Sequence, residues 1–307
     1  MSALSEYPLV SIITVNQNNV CNTLMFLIEL KKVSYPSVEI WVVDNASTGN
    51  DADVIKDEFH NIHVVKTAYD KGYAGAFNTV IPKVHGKYIL LLQTGIIITP
   101  RFIEPLVQRC ESNYNIGMIC PLVIYSDDSS VVLYAGCKSV NPLTLNYTYE
   151  SYKSKHAIDN EMARETNFGF EAIAMIPFST MEVCGMLAGA YYSGYDILDW
   201  SKRIKDAGYS VWYEPKSVVY YSSKEISESP KTARGYYNRL VFLRRNIKGW
   251  KYTIAIVFLI LIRFPYGFTN ALAHGNFRKA KKWLKMYRIF WINILNVDIH
   301  DNAFDYS

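Results

Sequence analysis

Acidic residues are missing from one long stretch of this 307-residue chain. Between Lys231 and Arg288 there are 14 Lys and Arg and no Asp or Glu. The remainder carries 18 basic residues against 28 acidic ones, so the overall charge of +4 conceals an acidic body, net −10, joined to a basic tail. That split implies an anionic partner for the tail, membrane lipid or nucleic acid. Cysteine is also scarce. The five present (Cys21, Cys110, Cys120, Cys137 and Cys184) are odd in number, scattered and without metal-ligand spacing, so they read as reduced thiols. The first residues, MSALSEYP, lack a basic n-region and an apolar h-region; no signal peptide is expected, and a cytoplasmic setting follows. In the tail, the apolar run Thr253 to Ile262 ends at Arg263 and Pro265, short of the roughly 20 apolar residues a spanning helix needs.

What is present is a core-forming composition. Half of the residues are apolar, which argues against disorder, and the length suggests one large α/β domain with an appendage. Short apolar runs, LVSIITV (9–15), VEIWVV (38–43), IHVV (62–65) and YILLL (88–92), alternate with stretches of helical periodicity at 20–33, 52–59 and 74–84. This is the pattern of βαβ units around a buried parallel sheet, whose ligands bind at the carboxyl ends of the strands. Residues 141–167, polar and rich in Tyr, predict a long loop or insertion. We divide the chain into a body, 1–230, and a tail, 231–307. In the tail, RKAKKWLKMYRIFWINIL places Ala280, Trp283, Leu284, Tyr287, Phe290, Trp291, Ile294 and Leu295 on one helical stripe. A basic amphipathic helix with Trp and Phe suits a lipid interface; packing on the body or on a second subunit is the plainer alternative. The aromatic and basic residues follow helical spacing rather than a nucleic-acid motif, so no nucleic acid is expected.

Three segments carry a family likeness. VSIITVNQN (10–18), VVDNAST (42–48) and DKGYAGAFN (70–78) stand in order. YDILDWSKR (195–203), KDAGYSVWYEP (205–215) and NRLVFLRRN (238–246) follow. Together they resemble the family 2 glycosyltransferases, over roughly residues 8–250. The resemblance implies a GT-A fold: a Rossmann-like, mixed but mainly parallel sheet with flanking helices, here with a C-terminal amphipathic helical tail. It implies transfer of a sugar, with inversion, from a nucleotide-diphosphate donor, a UDP- or dTDP-sugar, to a glycan or lipid-linked acceptor in polysaccharide synthesis. The setting it suggests is the inner face of the membrane, with homo-oligomerisation left open. The donor-binding residues it implies are Asn16, Asp44 and Asn45 at the first two strand ends. To these it adds Lys71, Gly72, Gly75 and Asn78 in the glycine-bearing loop, and Gln93, Thr94 and Gly95 after the fourth strand. Asp44 would contact the base, and the glycines would let backbone approach the donor.

The chain departs from the family where the chemistry sits. After YILLL the family carries a carboxylate that holds Mg²⁺ or Mn²⁺; this chain has Gln93, Thr94 and Gly95, which offer only neutral oxygens. A terminal His is replaced by Tyr221, and the family's catalytic Glu-Asp pair reads Asp196-Ile197. No metal ligand is therefore assigned. Asp196 and Asp199 are the candidate bases, although a one-residue shift turns a helical side chain by about 100°. Lys71, Arg101 or Lys224 could neutralise a diphosphate. A silent, binding or scaffolding relative is the alternative to an active enzyme, and a loop carboxylate such as Asp127 or Asp128 is a further substitute base. A nucleotidyltransferase is set aside, because NQNNVCNT takes the place of a Gly-rich, basic phosphate loop.

Overall fold

The computed structural model describes residues 7–138, 149–151, 162–191, 194–222 and 233–293. Strands β1 (Val10–Asn16), β2 (Val38–Asp44), β3 (His63–Lys66) and β4 (Tyr88–Leu92) are the predicted parallel set. Helices α1 (Val20–Leu30), α2 (Asp51–Glu58) and α3 (Gly72–Val80) connect them. β1 pairs in parallel with β2 on one side and β4 on the other, and β2 pairs with β3. Every residue of β4 is buried, as expected of a strand covered on both faces.

Beyond β4 the sheet becomes mixed. β5 (Ile96–Ile98), β6 (Ile116–Tyr125), β7 (Val132–Tyr134), β8 (Arg164–Thr166), β9 (Ile173–Pro177) and β10 (Ser210–Tyr221) complete it. Its order is β3-β2-β1-β4-β9-β6-β10-β5, with β7 on β6 and β8 on β10. β9 runs antiparallel to β4, and β10 parallel to β6. Chain progression reverses between β1 and β4, so the crevice outside their carboxyl ends is the topological switch point where such sheets bind ligands. Flanking helices α4 (Ile103–Ser112), α5 (Phe178–Cys184) and α6 (Asp196–Asp206) close the faces. The segment expected as one long loop is partly paired: Cys137 bridges to Tyr149, and β8 joins β10. Residues 141–148 and 152–161 of that segment lie outside the described residues, as do Lys224 and Lys231.

Helix α7 (Ala233–Asn246) packs into the body. Leu240, Val241, Phe242 and Leu243 are all buried. Arg239 Nε donates to Tyr195 Oη at 2.9 Å, and Asn238 Nδ2 to the Gly194 carbonyl at 3.1 Å. The next segment corrects a sequence expectation. Instead of breaking at Arg263 and Pro265, Trp250–Ala273 is one 24-residue helix, by length and composition long and apolar enough to cross a membrane. It comprises α8 (Trp250–Phe258), a π turn at Leu259–Arg263, and α9 (Phe264–Ala273) with Pro265 at its start. A wider turn tolerates the missing Pro N–H, since helix continuity is lost only where i→i−4 bonds have no substitute. The Arg263 charge is covered by the Trp283 ring, 5.6 Å from its centroid.

Trp283 belongs to α10 (Phe277–Asn293), which packs on α9 and α7. The expected stripe is divided. Ala280 and Trp283 are buried, and Tyr287 stacks edge-on against Phe264, whereas Leu284 and Trp291 face outward with Ile292. Ile294 and Leu295 lie outside the described residues. Along the helix Trp250–Ala273, Trp250, Ile254, Val257 and Leu261 recur at helical spacing and are exposed, an apolar stripe.

Candidate active site

The ends of β1 and β2 meet in one hydrogen-bonded cluster beside the switch point. Asn16, the last residue of β1, donates through Nδ2 to Asp44 Oδ1 at 2.8 Å and to Asp51 Oδ2 at 2.9 Å. Its Oδ1 accepts from Thr23 Oγ1 at 2.7 Å. Ser47 also donates to Asp44 Oδ1. The other carboxylate oxygen, Asp44 Oδ2, is buried and has no hydrogen-bond partner among the described residues. A buried anionic oxygen left unmet costs on the order of 1–3 kcal/mol, so its position at the end of β2 marks a place for an incoming donor.

Asn45 links this cluster to the glycine loop. Its Nδ2 donates to Asp70 Oδ1 at 2.7 Å, and its Oδ1 accepts the Lys71 N–H at 3.0 Å. Gly72 opens α3 at φ +66°, a left-handed value that favours glycine. A Cβ at Gly75 would stand 2.8 Å from Lys71 Cβ, so the small residue makes room for the lysine stem. Lys71 Nζ lies 3.3 Å from Thr79 Oγ1 and 5.6 Å from the Tyr69 ring centroid. Asn78 is used internally: its Nδ2 donates to the Leu187 carbonyl at 2.7 Å and ties α3 to the segment before α6. Its Oδ1 is buried without a partner among the described residues.

The fourth strand end holds no carboxylate. Gln93 N donates to the Ala172 carbonyl at 2.9 Å, and Gln93 Nε2 reaches the Glu171 carbonyl at 3.3 Å. Tyr221 Oη lies 3.5 Å from Gln93 Oε1. Thr94 and Gly95 follow, half-buried. Among the described residues no group of three or more His, Cys, Asp or Glu is placed to hold a metal ion. The divalent ion that the fold family implies does not fit Gln93, Thr94 and Tyr221, whose oxygens are all neutral.

The two candidate bases separate sharply. Asp199 is fully buried. Its Oδ2 accepts from Arg203 Nε at 2.9 Å, and its Oδ1 from Asn246 Nδ2 at 2.7 Å, Arg245 Nε at 3.2 Å and Tyr191 Oη at 3.2 Å. This network joins α6 to α7 and holds Asp199 as a structural anion. Asp196, at the first turn of α6, is also buried, and burial pushes its carboxyl up to about 6. Ile197 turns instead toward the core, its Cγ2 3.2 Å from where a Gly169 Cβ would stand. Of the alternative groups, Arg101 is exposed, Asp127 accepts from Ser126 Oγ at 3.3 Å, and Asp128 closes its own turn onto Ser130 at 2.6 Å.

Sequence reasoning missed two residues that the fold brings to Asp196. Glu171 sits at a tight turn before β9, and burial, with the Asp196 charge second, pushes its carboxyl up to about 7. Tyr73 of α3 carries a hydroxyl held well above the usual tyrosine range, by burial first and then by Asp196 and Tyr221. The Tyr73 oxygen faces Gln93 but makes no well-formed hydrogen bond among the described residues. A lone carboxylate inside the apolar run FGFEAIAMIP was the signal for Glu171.

The comparisons bear on the fold and the family. The mannosyltransferase PcManGT of Pyrobaculum calidifontis, solved with GDP-Man and Mn²⁺, superposes with a TM-score of 0.59 at 14% identity, covering 95% of this chain and 88% of that one. GalNAc-T7, solved with UDP, GalNAc and Mn²⁺, gives 0.66 at 14% identity over 96% and 59%. S. aureus TarS 1-349 gives 0.57 at 12% identity over 94% and 81%. These likenesses show the GT-A fold. No curated protein matches the sequence. The profile of glycosyl transferase family 2 matches residues 10–181, more than half of the chain and all of its switch-point cluster. This protein belongs to glycosyltransferase family 2.

Proposed function

We propose that the chain transfers a sugar, with inversion, from a UDP- or dTDP-linked donor to a glycan or lipid-linked acceptor at a membrane surface. The observation that carries the reading is the unmet, buried Asp44 Oδ2 at the switch-point crevice, an acceptor that a nucleobase N–H would satisfy. Two of the structural relatives were solved with a nucleoside-diphosphate ligand, which supports the same donor class here. The exposed apolar stripe of α8 and the basic α10 support a lipid surface for the tail, with the body peripheral on the cytoplasmic face.

Thermal-shift titration with UDP-, dTDP- and GDP-sugars, with and without Mn²⁺, tests the donor. Stabilisation that is independent of metal and abolished by Asp44→Ala is the expected result. No shift at millimolar nucleotide, or an undiminished shift in the variant, sinks the reading. A silent binding protein is the second reading. It is favoured by the core-facing Ile197 and the neutral oxygens of Gln93, Thr94 and Tyr221, and it predicts nucleotide binding without donor turnover.

A further inference from the structure

The helix Trp250–Ala273 is apolar on two faces, and the protein covers one of them. Ala255, Leu259, Phe264, Gly267 and Ala271 form the covered face. A Cβ at Gly267 would overlap the Trp283 ring, so this helix and α10 meet at close range. Phe264 sits edge-on to Trp283 and to Tyr287, with 5.8 and 5.3 Å between ring centroids, and the Arg263 guanidinium lies over the Trp283 ring. α10 packs in turn on α7, whose Leu240, Val241, Phe242 and Leu243 are buried in the body. The other face carries Trp250, Ile254, Val257, Leu261 and Leu272, all exposed, Trp250 by 70% and Leu261 by 67%. A helix that is apolar all round belongs in a fully covered setting, and an apolar surface left open in this way marks an interaction site.

Charge selects what covers it. Arg278, Lys279, Lys281, Lys282, Lys285 and Arg288 stand exposed on α10, and no Asp or Glu occurs between Lys231 and Arg288. A second copy of this chain seated on the stripe would bring the same cations to a shared two-fold interface, where like charges repel. An anionic bilayer meets both needs, with acyl chains for the stripe and phosphates for the cations.

Packing selects the orientation. The 24-residue helix is long enough to cross the hydrocarbon layer. To cross, it would have to part from α10 and break the ring contacts of Phe264, or draw the cations of α10 into the bilayer with it. Arg263, close to the middle of the helix, would also stop near the midplane, where charge is costly. A helix lying flat keeps every one of these contacts and leaves Lys and Arg in the headgroup layer, their stems along the apolar surface.

Resting on the lipid-surface reading of the tail above, we propose that Trp250–Ala273 is a monotopic anchor that lies in the plane of an anionic membrane without crossing it. Its exposed stripe enters the boundary between headgroups and acyl chains, α10 braces its other face, and both of its ends stay on the same side of the bilayer.

The test uses the full chain with Cys21→Ser and Cys184→Ser, which leaves only the buried thiols of Cys110, Cys120 and Cys137, and with Lys248→Cys and His274→Cys just beyond the two ends of the helix. The protein is reconstituted from detergent into phosphatidylcholine–phosphatidylglycerol vesicles and treated with a membrane-impermeant maleimide. The expected result is molecules labelled at both sites. Molecules labelled at one site or the other, never at both, mean that the helix crosses and overturn the inference, whichever way the protein has inserted. In a second arm Val257→Glu combined with Leu261→Glu, both at exposed positions, lowers partition into these vesicles by roughly 10-fold or more, with the melting temperature in lipid-free solution kept. Unchanged partition overturns the inference. So does a lipid-free wild-type dimer that these two substitutions dissociate, which would assign the stripe to a second copy. A wild-type chain that binds no vesicle overturns the lipid-surface reading beneath it.

Discussion

Replacing Glu171 by Gln should stabilise the protein at alkaline pH and do little at acid pH. Burial pushes the folded carboxyl up to about 7 from the ordinary glutamate value of 4.5. Below pH 4.5 both folded and unfolded chains hold the proton, and the residue adds no pH-dependent difference. Between 4.5 and 7 the unfolded chain ionises first, so the folded state binds more protons and stability falls as pH rises. At about 1.4 kcal/mol per unit, the cost reaches ~3 kcal/mol above pH 7. Solvent reaches part of this side chain, so the realised figure is smaller, ~2 kcal/mol. Gln keeps the shape and cannot ionise. For a chain of this size 2 kcal/mol corresponds to roughly 3 °C in melting temperature. Calorimetry of both proteins at pH 5, 6, 7 and 8 should give curves that nearly meet at pH 5 and diverge steadily above it, the variant melting higher. A constant offset at every pH, or a variant that melts lower at pH 8, would refute the burial argument.

Two further outcomes follow from the geometry. Asp199→Ala leaves Arg203 and Arg245 facing each other across an uncompensated buried gap; unfolding in denaturant should show a loss of about 3–5 kcal/mol, and a loss below about 1 kcal/mol would mean that the network does not hold α6 to α7. The full chain should sediment with anionic vesicles, more weakly with neutral ones, and deletion from Trp250 onward should release it. Cutting there rather than at Lys231 spares the buried residues of α7. Equal binding to neutral vesicles, or binding that survives the deletion, would defeat the electrostatic and apolar claims for the tail.

Much of the fold was written locally. β1, β2, β3 and β4 were readable from apolar runs, most plainly β1 and β4, because a strand buried on both faces cannot hide its composition. VVDNAST and DKGYAGAFN placed Asp44, Asn45 and Gly72 at the crevice, since a strand end and the loop after it are neighbours in sequence as well as in space. The tail helix was harder. A proline and an arginine in one turn read as a break, yet the π turn and the Trp283 ring accommodate both, and Trp283 arrives from another helix.

The sequence by itself determined the parallel half of the sheet, the residues at its carboxyl edge and the loss of the family's metal carboxylate, because each depends on residue type within a short segment. The roles of the remaining carboxylates were decided only by tertiary structure. Asp196 and Asp199 lie on the same helix turn, and nothing local separates them. Arg245 and Asn246, brought from α7, hold one in an ion-paired network, while the other stays outside that network, its carboxyl pushed up to about 6 by burial. Charge interactions act through space across dehydrated distances, and which groups share that space is fixed by how the elements pack.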